Sequence, residues 1–213
     1  MDAFHERLAR TGLAAAARFG FGLAGGYAVQ AAGLLEPLSE DVDLFTAWER
    51  RGHFEVAVTA VVDGHLADGL GVEIQRRSDM FARLQVSDGE NTSKVELGLD
   101  WRANEAIDMS VGPVLHPDDA VANKMSALYR RARSPAIIDI DAALRSGRYD
   151  RETLLSLTER ADSGLDRRTF ADAIGQAQIL DVDDFGEYGL DGQDLDDLRG
   201  RFTAWRTELL NRT

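Results

Sequence analysis

The sequence predicts an α+β fold with an N-terminal lobe of helices and a mixed sheet to about Gly112, followed by a C-terminal lobe of helices alone. Short apolar runs with alternating polarity fill much of the first half, which is typical of strands. After Gly112-Pro113 the apolar residues recur at helical spacing. With 213 residues and 44% hydrophobic content, the chain can bury one good core or two small ones. We therefore expect two lobes, residues 1–112 and 113–213, with the helical lobe completing the active site.

The N-terminal lobe begins with apolar residues at helical spacing from Ala3 to Arg18, which predict a first helix. FGFGLAGG predicts a short buried strand that ends in glycines, and YAVQAAGLL predicts the helix after it. Glu36-Pro37 ends that helix, because proline cannot continue it. DVDLFT predicts a second strand, and Phe54–Leu66 a second long helix.

Three further strands and five helices complete the prediction. The strands are GVEIQRR, FARLQVSD and KVELGLDW, separated by the turn signals Ser78-Asp79 and DGEN. The predicted helices are HPDDAVANKMSALYRRAR, PAIIDIDAALRSG, DRETLLSLTERAD, DRRTFADAIGQAQ and DLDDLRGRFTAWRTELL, several of which start with Asp or Pro.

Composition and charge limit the classes of partner. Cysteine is absent, which excludes disulfides and thiolate metal sites, and the net charge is -13. No apolar run approaches the ~18 residues that span a bilayer, and MDAFHERLAR does not resemble a secretory signal. We therefore expect a soluble cytoplasmic protein. The net negative charge disfavours the binding of long duplexes, whereas the one basic cluster, Tyr129–Arg133, leaves room for a single RNA end.

The glycine pair Gly25-Gly26 follows the first predicted strand. Two glycines let the backbone turn tightly and approach a ligand, because no Cβ intervenes. If a helix opens at Tyr27, its first N–H groups would form a phosphate site. An ordinary turn is the alternative interpretation.

Two aspartates follow on the second predicted strand. Residues i and i+2 of a strand face the same way, so Asp41 and Asp43 project together while Val42 and Leu44 face the core. Two carboxylates on one face repel each other unless a cation lies between them. Mg²⁺ suits such oxygen ligands and also binds substrate phosphates. An acidic strand on a solvated face is the alternative.

The segment KVELGLDWR offers a third carboxylate. Strand alternation places Lys94, Glu96 and Asp100 on one face. Either Glu96 or Asp100 would join Asp41 and Asp43 at the metal, or Lys94 would simply neutralise the acidic groups.

Two charged residues stand out in the helical half. Lys124 is one of only two lysines in the chain, and lysine is a compact point charge suited to phosphate; a solvated helix residue is the alternative. Asp139 lies among apolar residues, and a buried carboxylate needs a partner. Lys124 is a plausible partner for it.

The order of these residues resembles the nucleotidyltransferase superfamily, whose members share the DNA polymerase β-like fold. The glycine pair followed by Ser39-x-Asp41-x-Asp43 is similar to the first motif of that superfamily. VELGLDWR, GPVLHPDDAVANKMSAL and IIDIDAAL resemble the AbiEii-type toxin branch, which includes bacterial type IV and mycobacterial toxins that modify tRNA. The likeness spans roughly residues 21–144.

The resemblance implies a role for each motif. Asp41 and Asp43 would hold Mg²⁺ with a nucleoside triphosphate, whose phosphates would contact Ser39 and the backbone of the glycine pair. Lys124 would neutralise the triphosphate, and Asp139 would be the essential helical carboxylate. A hydroxyl would attack the α-phosphorus and pyrophosphate would leave.

Three functions remain open at this point. The first is a toxin that transfers a nucleotide to an RNA acceptor, with the tRNA 3′ end expected, and that pairs with an antitoxin which acts on Ser39. The second is transfer to a small, antibiotic-like molecule, because the acidic surface suits a cationic acceptor. The third is a binding module that has lost its chemistry, since Pro37 and Pro135-Ala136 replace residues common in the superfamily.

Overall fold

The computed structural model describes residues 1–33, 41–130, 136–180 and 191–211. These residues form two compact units by their internal contacts. The first unit contains residues 1–33 and 41–120, and the second contains residues 121–130, 136–180 and 191–211. The predicted residues Pro37, Ser39 and Pro135 lie outside the described residues.

The first unit is built on a seven-stranded mixed sheet in the order β3-β4-β5-β2-β1-β7-β6. Its strands are β1 (Gly22–Leu23), β2 (Asp41–Ala47), β3 (Gly71–Arg77), β4 (Phe81–Ser87), β5 (Thr92–Asp100), β6 (Ile107–Met109) and β7 (Gly112–Val114). Its helices are α1 (Ala3–Ala16), α2 (Gly25–Ala31) and α3 (Phe54–Ala67), with 3-10 turns at Ala17–Phe19 and Trp48–His53. The predicted α+β class is confirmed.

Strand β2 lies at the centre of the sheet, antiparallel to β1 and parallel to β5. Its residues alternate between half-buried and buried, as a strand with one covered face requires. Val42 and Leu44 are completely buried, and so are Val95 and Leu97 on β5. Burying one such side chain contributes roughly 1.5–3 kcal/mol. This apolar row fixes which residues of β2 face the other way.

Helices α1 and α3 pack against each other and against the sheet. Helix α1 begins where the Asp2 carboxylate accepts a hydrogen bond from the backbone N–H of His5, a normal N-cap. Buried His65 on α3 joins the two helices, with Nδ1 2.8 Å from the Val61 carbonyl oxygen and Nε2 3.2 Å from that of Leu8. The N-terminal residues of the chain are thus held close to the sheet.

The second unit is helical. It contains α4 (Pro117–Arg130) from Val121 onward, α5 (Ala136–Arg145), α6 (Arg151–Ala161), α7 (Arg167–Gly175), a 3-10 turn at Gln176–Ile179 and α8 (Gly192–Asn211). Asp150 and Asp166 cap α6 and α7 by accepting backbone N–H groups. Trp205 on α8 packs between Phe170 and Phe202, with ring centroids 5.4 Å and 5.8 Å away.

The sequence misses the β6–β7 hairpin. Both strands have three residues, too few for the alternation of strand side chains to show, and β6 is exposed. Helix α2 also begins at Gly25 rather than at Tyr27. No helix within the described ranges is both long and apolar enough to cross a bilayer.

Candidate functional site

The glycine pair lies directly against the second aspartate. Gly25 has a φ of +60°, and the neighbouring Ala24 N–H donates to the Asp43 carbonyl oxygen over 2.8 Å. A Cβ placed on Gly25 would lie 1.7 Å from Asp43 Oδ2. Any side chain there would displace the carboxylate, and the left-handed φ also disfavours one. The local geometry therefore requires glycine, and it brings backbone and carboxylate together.

The two aspartates face the same side of the sheet, as the sequence predicts. Asp41 lies opposite Lys94 on β5 and Asp43 lies opposite Glu96. Lys94 Nζ is 3.4 Å from Asp41 Oδ1, and both side chains are partly exposed. Lys94 therefore neutralises the Asp41 carboxylate, which is one of the two alternatives that the sequence left open. A metal ion that binds Asp41 would have to displace the Lys94 ammonium group.

Glu96 is next to Asp43 but already has a strong partner. Arg83 on β4 donates to Glu96 Oε1 from Nε over 2.7 Å, with Nη2 at 2.6 Å. Such charge-assisted contacts are among the stronger hydrogen bonds in proteins. The register between β2 and β5 places Glu96 next to Asp43, whereas the ion pair with Arg83 holds the Glu96 carboxylate toward β4.

Asp100 lies elsewhere on β5. It pairs with Ala47 at the end of β2, four residues and thus about 13 Å along the strand from Glu96. Arg102 donates from Nε to Asp100 Oδ1 over 3.0 Å and also contacts the carbonyl oxygens of Gly20 and Phe45. Burial raises the pKa of Asp100 to about 6, against the opposing effect of Arg102. These contacts indicate that Asp100 stabilises the end of the sheet away from Asp41 and Asp43.

The helical unit contains the other two predicted residues. Lys124 Nζ on α4 is 2.6 Å from Asp139 Oδ2 on α5, and Asp139 is buried. The expected pairing of the buried carboxylate with Lys124 is confirmed. The pair places a carboxylate from the first turn of α5 against an ammonium group from the middle of α4.

The metal expectation rests on Asp41 and Asp43. No group of three or more His, Cys, Asp or Glu side chains that could hold a metal ion occurs within the residues that the structure describes. Mg²⁺ usually takes only one or two protein carboxylates and completes its shell with water and substrate phosphates. The two aspartates fit that donor set, and the absence of a side chain at Gly25 lets the Asp43 carboxylate lie against the glycine backbone.

Sequence reasoning misses a hydrogen-bonded cluster beside Asp41. His5 Nε2 is 2.8 Å from Ser93 Oγ, and His5 Nδ1 is 2.5 Å from the Tyr27 hydroxyl oxygen. Burial, and then the charges of Asp2 and Asp41, raise the pKa of Tyr27, which therefore keeps its hydroxyl proton. These residues come from α1, α2 and β5, and no local pattern connects them. Arg83 could have been found by pairing β4 with β5 across the DGEN turn.

Asp100 gives a prediction about pH and stability. Because its folded-state pKa is raised, the folded chain binds this proton more tightly, so Asp100 disfavours folding increasingly as the pH rises from about 4 through 6. Relative to Asp100→Asn, the wild type should lose roughly 3 kcal/mol of unfolding free energy over that range. Urea denaturation at several pH values measures the difference, with Asp108→Asn on exposed β6 as the matched control. Parallel pH profiles for wild type and Asp100→Asn would contradict the assignment.

Gly25→Ala gives a second prediction. The added Cβ must push the Asp43 carboxylate away, so we expect Mg²⁺-dependent binding of nucleoside triphosphates to weaken at least about tenfold, which is 1.4 kcal/mol. Gly69→Ala is the matched control, because Gly69 also has a positive φ, +79°, but has no atom within 4 Å of its added Cβ. Calorimetric titration with each of the four triphosphates measures the effect. Equal affinities for the two variants would refute the role of the close approach.

Comparison with known proteins agrees with this architecture. No family model matches the chain, and no curated protein does. An H. pylori protein assigned as a nucleotidyltransferase has a TM-score of 0.58 and 16% identity, over 100% of this chain and 99% of its own. The antibiotic-resistance factor ANT(2'')-Ia has a TM-score of 0.50 and 20% identity, over 76% of this chain and 94% of its own. MenT4, a nucleotidyltransferase toxin from Mycobacterium tuberculosis H37Rv, has a TM-score of 0.49 and 17% identity, over 82% and 65%.

Identities below one in four show a common fold and no more. The H. pylori protein matches along essentially its whole length, and the glycine turn and the aspartate strand occupy adjacent positions in the sheet. The chain therefore has the nucleotidyltransferase fold.

Proposed function

We propose that the protein is a Mg²⁺-dependent nucleotidyltransferase that transfers a nucleoside monophosphate from a nucleoside triphosphate to an RNA acceptor. The proposed acceptor is the tRNA 3′ end, and the proposed biological role is that of a toxin that blocks translation. The observation that carries the enzymatic proposal is the contact of Gly25 with the Asp43 carboxylate, beside Asp41 on the same strand face.

The donor nucleotide is assigned to the glycine turn and β2. Backbone N–H groups of Gly25 and Gly26 would contact its phosphates, together with Ser39, which lies outside the described residues. Asp41 and Asp43 would hold Mg²⁺, which would offset the charge on the phosphate and leaving-group oxygens. Lys124 would supply a further positive charge to the triphosphate, as a compact ammonium group does well.

The reaction is a direct displacement. The acceptor hydroxyl oxygen forms a bond to the α-phosphorus, the bond to the bridging oxygen breaks, and pyrophosphate leaves. Asp139 is the proposed carboxylate that orients or deprotonates the hydroxyl. Its 2.6 Å contact with Lys124 supports this role, because a charge-assisted hydrogen bond fixes the orientation of the carboxylate.

A small cationic acceptor is the second candidate. The net charge of -13 favours a cation, and ANT(2'')-Ia, an antibiotic-resistance factor, shares the fold. Antibiotic resistance of an expressing strain would favour this function, whereas growth arrest favours the toxin.

Charge removal from β2 provides the direct test. Asp41→Asn and Asp43→Asn should each lower transfer of label from nucleoside triphosphates to total tRNA at least about 100-fold, because metal-assisted charge stabilisation is worth several kcal/mol. Asp63→Asn, on the exposed face of α3, controls for loss of one carboxylate. Assays of all four triphosphates with RNA and with aminoglycosides identify donor and acceptor. If wild type labels no acceptor and the variants cause no change in phenotype, the chain is a binding module that has lost its chemistry.

An antitoxin is the proposed partner, and Ser39 is its proposed target. Phosphorylation would add about two negative charges two residues from Asp41 and should block triphosphate binding. Mass spectrometry of Ser39 after co-expression with the product of the neighbouring gene measures this. An inhibited protein with unmodified Ser39 would count against it.

A further inference from the structure

A surface rich in arginine lies beyond the end of β2 that is away from Asp41. It consists of four exposed side chains from the two 3-10 turns of the first unit, which are Arg18, Trp48, Arg50 and Arg51. We call this surface the arginine patch. Glu49 is the one acidic residue in these two turns. The patch is therefore a local region of positive charge on a chain whose net charge is -13.

The two turns are held together by contacts with β2 and with each other. The hydroxyl of Thr46 on β2 donates to the carbonyl oxygens of Phe19 and Gly20, over 2.9 Å and 3.2 Å. A Cβ on Gly20 would lie 2.7 Å from Arg50 Nε, so the Arg50 side chain lies against the Gly20 backbone. The guanidinium group of Arg18 lies over the Phe19 ring, 4.7 Å from its centroid. The sequence does not reveal this surface, because its arginines come from two separate segments.

The three arginines of the patch are available to an external anion. Within the ranges that the structure describes, none of them forms an ion pair with a carboxylate. Elsewhere in the first unit, by contrast, Arg83 pairs with Glu96 and Arg102 pairs with Asp100. A guanidinium group binds phosphate through a planar fork of N–H donors. The patch thus presents several such forks on one surface.

Trp48 indicates which kind of anion the patch suits. Its exposed fraction is 47%, which is high for a residue of this size. The guanidinium group of Arg51 lies over its ring, 5.6 Å from the centroid. Surfaces that bind single-stranded nucleic acid combine basic groups for the phosphates with aromatic rings on which bases stack. An acidic polypeptide would satisfy the arginines alone, whereas a single-stranded nucleic acid satisfies both the arginines and the indole.

The distance between the patch and the aspartates suits an RNA chain that reaches the proposed transfer site. Trp48 directly follows β2 and is five residues beyond Asp43. A strand rises about 3.3 Å per residue, so about 17 Å separates the two positions. Stacked nucleotides of one strand rise about 3.4 Å each, so about five nucleotides cover this distance. An acceptor whose end lies at Asp43 would therefore place the nucleotides before that end at the patch.

We propose that the arginine patch binds the single-stranded segment of the RNA acceptor that precedes its reactive 3′ end. The arginines pair with phosphates of this segment, and Trp48 stacks on one of its bases. The inference rests on the proposed nucleotidyl transfer. It adds to that function a surface that selects a polymeric anionic acceptor over a small cationic one.

Salt dependence tests the contribution of the arginines. The probe is a single-stranded RNA dodecamer with a 5′ fluorescein, and fluorescence anisotropy measures its affinity between about 50 and 200 mM salt. The double variant Arg50→Gln/Arg51→Gln should lower the slope of log K against log salt by about 1.4, because each phosphate contact to a single strand contributes about 0.7. Its affinity should fall about twofold to fivefold for each arginine. Arg160→Gln/Arg168→Gln, which removes two exposed arginines of the second unit, is the matched control and should change neither quantity.

Trp48 gives a test that does not depend on charge. Trp48→Ala should weaken binding of the dodecamer at least about fivefold, the lower end of what one stacked base contributes, and leave the salt slope unchanged. Trp48→Phe retains a ring and should recover most of the affinity. Because the substituted side chains are exposed, the thermal transitions of all these variants should match that of wild type. Calorimetry should show unchanged Mg²⁺-dependent affinity for nucleoside triphosphates.

Several results would overturn the inference. These are no binding of the dodecamer by wild type, equal salt slopes for Arg50→Gln/Arg51→Gln and its control, or displacement of the probe by polyglutamate as readily as by unlabelled RNA, which would assign the patch to an acidic protein. A label-transfer assay on the same proteins separates the two proposals. Patch-dependent RNA binding without transfer to any acceptor would refute the proposed function alone. Transfer to RNA with the same KM in wild type and in Arg50→Gln/Arg51→Gln would refute the inference alone.

Discussion

The register between β2 and β5 is the constraint on which the site depends. Val42 and Leu44 on β2, and the matching apolar residues of β5, are fully buried. Because strand side chains alternate, that burial forces Asp41 and Asp43 to the other face. A slip of one residue would place both carboxylates in the core and the apolar side chains in water. The hydrophobic effect thus determines the direction of the charged groups.

The acidic protein offsets its acidic face with local cations. Lys94 pairs with Asp41, and Arg83 pairs with Glu96 on the adjoining strands. In the helical unit Lys124 does the same for Asp139. These contacts reduce the repulsion that clustered carboxylates would otherwise cause.

Much of this arrangement could be predicted from the sequence, because it depends on local periodicity. The shared face of Asp41 and Asp43 follows from a period of two, and the partner of Asp139 follows from the cost of an unpaired buried carboxylate. The same alternation made Asp100 a candidate, but it does not give the register between β5 and β2, which places Asp100 opposite Ala47 and not opposite either aspartate. Contacts such as that of His5 with Ser93, 88 residues apart, depend on tertiary packing alone. The β6–β7 hairpin could not be predicted, because strands of three residues are too short to show the alternation of buried and exposed side chains.

We propose that the glycine turn and the aspartate strand together hold a metal-bound triphosphate. Crystals of the full chain grown with Mn²⁺ and a non-hydrolysable triphosphate analogue test this most directly, because Mn²⁺ is identified by its anomalous scattering. We expect an anomalous peak in contact with the carboxylates of Asp41 and Asp43, with phosphate oxygens next to the backbone of Gly25. A metal peak at Asp100, or a triphosphate bound away from Gly25, would contradict it.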